Sequence, residues 1–463
     1  MPETKIGIVG VGPRGVSLLE RIITYCVHYK IARTPKLLLF DKNSEFGVGC
    51  HGTDIAENLL LNTIADQITM YFGEKMKPYG PVYDGKNLYE WVVEHHYKAE
   101  KTAYLPRKIL GDYLKQFYNE QIQRMNKYQI DFEEIKKEVI DVICLEKEIL
   151  IHLKNKEYSV KKAVLALGHH GDVAVNCVHR GQTVDMAILK TMKVKSVAIQ
   201  GMGLTAFDVI SDLTEGLGGQ FERTNSGELK YIPSGTEPVL YPYSRTGIFL
   251  SGRAFNEDPE FIYQPVYFTF KEIKKLRAKK GKLNLLNDVI PLLNKELIHA
   301  YKLQTGKNNF DTDKFWYPEN ELDISSQEDL KNSFDRCLKT DIIECKKGKF
   351  ESPIKFCQDI IRDVRDVVRY AVEYGGLDMN SYKKFVNEWQ PIFNRICVGP
   401  PYIRLEQLKA LMDSGICNLK HVKNPNLKTL NDNYILRSVY KNRKKRIYNH
   451  RVLDKSENKI HQL

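Results

Sequence analysis

A short apolar run, Ile6-Gly7-Ile8-Val9, breaks at a glycine-rich turn spanning Gly10 to Gly15. Apolar positions then resume at helical spacing from Val16 to Tyr29 and as a second run, Leu37-Leu38-Leu39-Phe40. Short continuous apolar runs on either side of an amphipathic stretch predict strand, turn, helix and strand, the opening of a doubly wound parallel sheet. Residues 105–127 read as a helix. Alternation around 139–145 and 149–153 predicts a small antiparallel meander, and Ala163 to Leu167 reads as a buried strand. At residue 197 the opening pattern restarts: Val197-Ala198-Ile199-Gln200, Gly201-Met202-Gly203, then an apolar helix from Leu204 to Leu213. A polar, glycine-containing stretch at 216–238 predicts a loop or hairpin before a strand at 239–243. Beyond residue 258 the period is helical, with amphipathic runs at 270–301, 354–374, 381–397 and 403–414.

These patterns predict an α/β chain with two Rossmann-like dinucleotide-binding units and a mostly helical additional region. The expected boundaries are 1–190 for the first unit, 191–257 for the second, 258–417 for a helical cap or substrate region, and 418–463 for a basic tail. With 463 residues, 42% of them apolar, the chain can bury a large core. No stretch approaches the roughly 20 apolar residues of a membrane span. Nothing before Ile6 reads as a leader, so the expected location is cytoplasmic.

Charge and cysteines narrow the chemistry. The net charge is +12, but the twelve Lys/Arg and three Asp/Glu from Lys420 to Leu463 carry +9 of it. The body is almost balanced, and no nucleic-acid motif accompanies the tail, which reads as a solvated terminus. Nine scattered cysteines include no Cys-x-x-Cys pair, which argues against dithiol exchange, and show no metal-ligand spacing. No metal is expected.

The turn Gly10-Val11-Gly12-Pro13-Arg14-Gly15 follows a buried strand and precedes a helix, and Asp41 ends the next strand. In that setting the first glycine permits the tight turn, the second lets backbone approach a pyrophosphate, and the third packs helix on strand. The phosphates then meet the positive helix end, and Asp41 accepts hydrogen bonds from an adenosine ribose. Gly201-Met202-Gly203-Leu204-Thr205-Ala206 repeats the turn with a small alanine in third place. After the following strand come Ser244 and Arg245, where an NAD site would offer a carboxylate. A guanidinium there suits a 2′-phosphate, so NADPH is expected over NADH. Between the turns, Ala166-Leu167-Gly168-His169-His170 ends a strand that returns past the first cofactor; the histidines read as capping or backbone-bonded groups rather than acid/base residues. Residues 46–53 bring glycines that allow backbone to lie close to a flat ring, and Asn62, Thr63 and Gln67 offer amides and a hydroxyl to ring edges or substrate.

Together these residues resemble the FAD/NAD(P)-binding protein family related to the flavin-dependent N-hydroxylating monooxygenases. The likeness is carried by residues 10–21, Leu-Asn-Thr-Ile-Ala-Asp-Gln-Ile-Thr at 61–69, Leu-Pro-Arg-Lys-Ile-Leu-Gly-Asp-Tyr-Leu at 105–114, Ala-Leu-Gly-His at 166–169 and Gly-Met-Gly-Leu-Thr-Ala-Phe-Asp at 201–208. Pro-Ser-Gly-Thr-Glu-Pro at 233–238, Tyr-Gly-Gly-Leu-Asp at 374–378 and Gly-Pro-Pro at 399–401 extend it. The resemblance implies that Gly10, Gly12, Gly15 and Asp41 hold FAD, that Pro106-Arg107 mark the helix beside it, and that Gly201, Gly203 and Arg245 hold NADPH. It implies an enzyme in which a flavin hydroperoxide hydroxylates the amino group of a small amino-acid-like substrate, with oxygen as co-substrate. Arg362, Arg365, Arg369 and Lys383 are candidates for the substrate carboxylate. Two rival readings use the same turns: an NADPH-dependent flavin oxidoreductase without oxygen insertion, and a noncatalytic nucleotide-binding protein. The family pattern returns to the FAD domain after the helical region with a Gly-Asp, and here the residues after Ile416 show none.

Overall fold

A computed structural model describes residues 4–52, 55–168, 195–430, 433–438, 440 and 450–451. They group into two compact units, one up to residue 168 and one from 195 onward.

In the first unit, β1 (Lys5–Val9), β2 (Lys36–Phe40), β3 (Phe132–Ile135) and β7 (Lys162–Leu165) form a four-stranded parallel sheet in the order β3-β2-β1-β7. The β1 and β2 runs are apolar throughout because both faces of the sheet are covered. On one face, Ile8, Leu37 and Leu39 pack against Val16, Leu19 and Ile23 of α1 (Pro13–His28) and against Phe117 and Met125 of α3 (Arg107–Lys127). On the other, Val9, Leu38 and Phe40 meet Ile151 and Val160 from the antiparallel meander β4 (Val139–Cys144), β5 (Ile149–Leu153) and β6 (Glu157–Val160). The helix α2 (Leu88–Glu94) opens with a reciprocal capping box between Asn87 and Glu90. The expected buried strand at 163–167 pairs with β1 but is not buried: Val164, Leu165 and Leu167 are exposed. As the sheet's edge, β7 has a neighbour on one side only.

In the second unit, β8 (Ser196–Gln200) and β11 (Val239–Tyr243) pair in parallel, with α4 (Leu204–Asp212) following the glycine turn. Residues 216–238 hold an antiparallel hairpin, β9 (Gln220–Arg223) with β10 (Leu229–Ile232). The helical region is more broken than its periodicity predicts. Its first run splits at Gly281, in a positive-φ conformation, into Phe270–Lys280 and Ile290–Thr305. Single π turns at Leu285–Val289 and Phe385–Trp389 interrupt others. One core built from Leu293, Leu297, Trp316, Ile360, Phe393 and their neighbours unites the helices.

The residues after Ile416 depart from the expectation of a solvated tail. Leu240 bridges Cys417 and Ser244 bridges Lys423, both in parallel, so the chain returns to the edge of β11. A hairpin of Asn426–Leu430 and Asn433–Arg437 follows, and its Leu436 is buried against Ala198, Tyr241 and Tyr243. Burial of Val422, Leu436 and Tyr440 outweighs the solvation that the nearby lysines suggested.

Candidate functional site

The first glycine turn is built by contacts that only glycine permits. Gly10 sits at φ +93° and its N–H donates to Phe40 O at 2.8 Å, tying the turn to the end of β2. A Cβ there would lie 2.3 Å from Ala166 O, so the chain leaving β7 crosses directly over the turn, as the small residues at its end predict. A Cβ on Gly15 would lie 2.1 Å from Gly10 O, which is the close helix–strand packing assigned to the third glycine. Helix α1 starts with Gly12 as N-cap and Pro13 in its first turn, with no side-chain cap and no acidic residue there. Its first amides and positive dipole end are therefore left to an anion. Arg14 is exposed beside them.

Asp41 does something the sequence reading missed. Its Oδ2 accepts from Val11 N–H at 2.8 Å and its Oδ1 from Asn43 N–H at 2.9 Å, so it fastens the turn from below. A carboxylate has roughly four acceptor positions, which leaves capacity for ribose hydroxyls.

The loop after β2 completes the cradle. A Cβ on Gly12 would lie 3.2 Å from Gly49 Cα, and one on Gly49, at φ +57°, would lie 2.8 Å from Pro13 Cδ. On its far side this loop touches α3, where a Cβ on Gly111 would lie 1.9 Å from His51 O. A glycine inside a 21-residue helix costs stability, and this contact explains why it stands there; it was the available signal for the loop's position. His51 is half-buried and its Nδ1 is buried with no hydrogen-bond partner among the described residues. Burial first, and the Arg107 guanidinium second, push its pKa down, so the imidazole is neutral. Arg107, the first residue of α3, donates through its Nε to Leu60 O at 3.2 Å. Leu61 N–H to Leu105 O and Arg107 N–H to Leu59 O, both 2.8 Å, hold residues 59–67 alongside 103–107. Asn62 and Thr63 ride on that segment, half-buried, and Gln67 is exposed at its end. The turn, the 47–52 loop, Arg107 and the Asn62–Thr63 segment thus form one continuous surface. Gly168, at φ +74°, has no described atom within 4 Å of where a Cβ would sit. His169, His170 and Thr53 lie outside the described residues.

The second turn repeats the first. Gly201 sits at φ +97° and its N–H donates to Tyr243 O at 2.9 Å, the counterpart of the Gly10–Phe40 bond. Cβ atoms on Gly201 or Gly203 would meet no described atom within 4 Å, which leaves room for a ligand against the backbone. Gly203 is the N-cap of α4, again with no side-chain cap and no acidic residue in the first turn. Thr205 is exposed, and Ala206 is buried with its N–H on Gly203 O at 3.1 Å. By this register Ser244 occupies the place of Asp41. Its Oγ accepts from Gly247 N–H at 2.9 Å, so no carboxylate faces the turn. Arg245 is exposed and reaches only Asn387 O, at 3.4 Å.

The substrate-carboxylate candidates fare differently. Arg362 is spent on Ile396 O at 3.1 Å, Cys397 O at 3.4 Å and Asp359 at 2.8 Å, where it clamps two helices together. Arg369 pairs with Asp366 at 2.8 Å, Arg365 lies 4.0 Å from the same carboxylate, and Lys383 is exposed. Among the described residues no cluster of His, Cys, Asp and Glu could hold a metal ion.

Several known proteins resemble this chain. A family model described as FAD-NAD(P)-binding matches residues 7–170. Nitrosuccinic acid synthase npaA of Aspergillus oryzae is 26% identical across 89% of this chain and 72% of its own length. An L-aspartate N-monooxygenase (nitrosuccinate-forming) of Streptomyces davaonensis is 24% identical across 91% of the chain and 77% of its own. Among solved structures, the lysine monooxygenase NbtG of Nocardia farcinica covers 97% of this chain and 78% of its own at 10% identity, with a TM-score of 0.39. Residues 7–170 are thus similar to FAD-NAD(P)-binding proteins, and about nine-tenths of the chain is similar to a nitrosuccinic acid synthase and to an L-aspartate N-monooxygenase.

Proposed function

We propose that this protein is an FAD-dependent, NADPH-using monooxygenase that hydroxylates the amino nitrogen of a small amino acid, with aspartate the first substrate to test. The observation that carries the reading is the pair of matching turns with unlike strand ends, Asp41 after the first and Ser244-Arg245 after the second. Relatives named as L-aspartate N-monooxygenases, similar over about nine-tenths of the chain, support that choice of substrate.

The residues fit the two cofactors. Gly10, Gly12, Pro13, Arg14 and Gly15 would shape the turn around the FAD pyrophosphate, with N–H groups from Arg14 and Gly15 but none from Pro13, and Asp41 would hold the adenosine ribose while keeping the turn closed. Asn62, Thr63, Gln67 and Arg107 offer donors and acceptors along the adjoining segment, with Gly168 leaving space at the strand end. Gly201, Gly203, Thr205 and Ala206 do the same for the NADPH pyrophosphate; Ser244 and Arg245 take the 2′-phosphate. When bound, FAD reduced by NADPH activates dioxygen, so that one oxygen atom goes to the substrate nitrogen and the other leaves as water. The protein's part is to bind, orient and keep water out, which needs no nucleophile–base constellation.

None of the described cysteines is in a disulfide, which suits the cytoplasmic location proposed here. No helix of the described residues is long and apolar enough to cross a membrane.

The test is product analysis. Purified protein given FAD, NADPH, oxygen and L-aspartate should form a product heavier by one or more oxygen atoms on nitrogen, with oxygen uptake dependent on aspartate. Rapid NADPH oxidation that yields only hydrogen peroxide, whichever amino acid is supplied, would favour the reductase reading.

A further inference from the structure

The helical region carries a half-open pocket of about 470 Å³ that neither glycine turn touches. Its wall is mainly apolar, with Phe249, Phe310, Phe315, Phe334, Leu338 and Ile354 facing it. The carboxylates on the wall are already engaged. Asp341 pairs with the buried Lys355 at 2.6 Å and accepts from Gly252 N–H at 2.8 Å. Glu321 pairs with Lys314 at 2.9 Å, Glu344 with Lys347 at 2.6 Å, and Asp311 caps the helix Thr312–Trp316 through Lys314 N–H at 2.9 Å.

Arg395 is the exception. It lines the same pocket and is only 9% exposed; the charges of Glu319 and Asp341 act on it, but neither carboxylate is in ion-pair contact with it. One terminal nitrogen donates to Trp316 O at 2.9 Å and Phe315 O at 3.4 Å. The other terminal nitrogen and Nε have no partner among the described residues, and neither is sealed from the pocket. With three N–H groups unused beside the pocket and no carboxylate in contact, the guanidinium is placed to take up an anion there.

We propose that this pocket binds a small molecule with one carboxylate and an apolar body, the carboxylate held by Arg395 and the body by the aromatic wall. Its size falls within the range of ligand pockets, roughly 300–1,000 Å³. A dicarboxylate such as aspartate fits it poorly, because the wall holds no second buried, unneutralised cation; Arg336, also on the wall, is exposed and screened. The site therefore takes a ligand other than the substrate proposed above, and it stands without that reading.

Titration calorimetry on the full chain with 4-phenylbutyrate, its neutral amide and L-aspartate tests the proposal. The carboxylate should bind at least tenfold more tightly than the amide, and aspartate should not displace it. Arg395→Gln should abolish that preference. Should this variant fail to fold through loss of the Trp316 bond, Arg395→Lys, which keeps a charged donor at the same place, should still prefer the acid to the amide, though by less than the native chain. Absent binding, equal affinity for acid and amide, or displacement by aspartate would each overturn the proposal.

Discussion

Replacing Arg245 with alanine separates the two nicotinamide cofactors in a way that follows from its surroundings. The guanidinium is exposed and its contact with Asn387 O is long at 3.4 Å, so releasing it costs little and the fold does not depend on it. A charge-assisted, bidentate bond to phosphate contributes about 1.5–3 kcal/mol, which corresponds to about 10- to 150-fold in affinity. NADH has no 2′-phosphate to lose. The expected outcome is therefore a KM for NADPH raised about 10- to 150-fold with the KM for NADH unchanged and the limiting rate of flavin reduction preserved. Stopped-flow reduction of the bound flavin under anaerobic conditions, followed near 450 nm against each cofactor, reads both values. Equal losses for NADPH and NADH, or no loss for either, would refute the assignment and with it the argument from the strand end.

Other perturbations probe the first turn and the helical region. Gly10→Ala forces a side chain into a positive-φ position 2.3 Å from Ala166 O, and should abolish flavin retention on gel filtration; normal flavin content would contradict the turn geometry. Asp41→Ala removes the acceptor for Val11 N–H and the ribose ligand together, and should weaken FAD at least tenfold by fluorescence titration, whereas Ser244→Ala should leave FAD affinity unchanged. Asp363 accepts from Tyr263 N–H at 2.9 Å in a buried setting, and burial raises its pKa to about 6. Because the folded state holds this proton more tightly than the unfolded chain, the stability it contributes is full below about pH 4 and is lost as pH rises through 6. Asp363→Asn should then flatten the pH dependence of urea unfolding between 4 and 7 and raise stability at pH 7.5 by about 1–3 kcal/mol; an unchanged slope would rule this out.

The opening β1-turn-α1-β2 segment was readable because three signals coincide there: an apolar run, glycines at fixed spacing, and an acidic residue at the next strand end. The second turn carried the same signals with alanine in third place. What the sequence could not show was long-range. Asp41's bond to Val11 joins residues thirty positions apart, and no local pattern distinguishes that role from ribose binding. The helix Gln327–Lys347 escaped the periodicity reading because its apolar stripe is narrow, with Leu330, Phe334, Leu338 and Ile342 set among charged residues. Residues 417–437 read as a tail because lysines and asparagines dominate them, yet a few buried residues, Val422 and Leu436 among them, anchor the return to β11. The carboxylate candidates on the helices were chosen by charge alone. Only the packing shows that Arg362 is consumed in structure by Asp359 and two helix-end carbonyls.

The central claim is that one chain holds a flavin at Gly10–Gly15 and takes its electrons from NADPH at Gly201–Ala206. The visible spectrum of the purified protein, recorded before and after anaerobic addition of NADPH and, separately, NADH, tests it most directly. A flavin spectrum that NADPH bleaches faster than NADH does is the expected result. A protein that remains colourless after incubation with FAD, or a bound flavin that NADPH leaves oxidised, would contradict it.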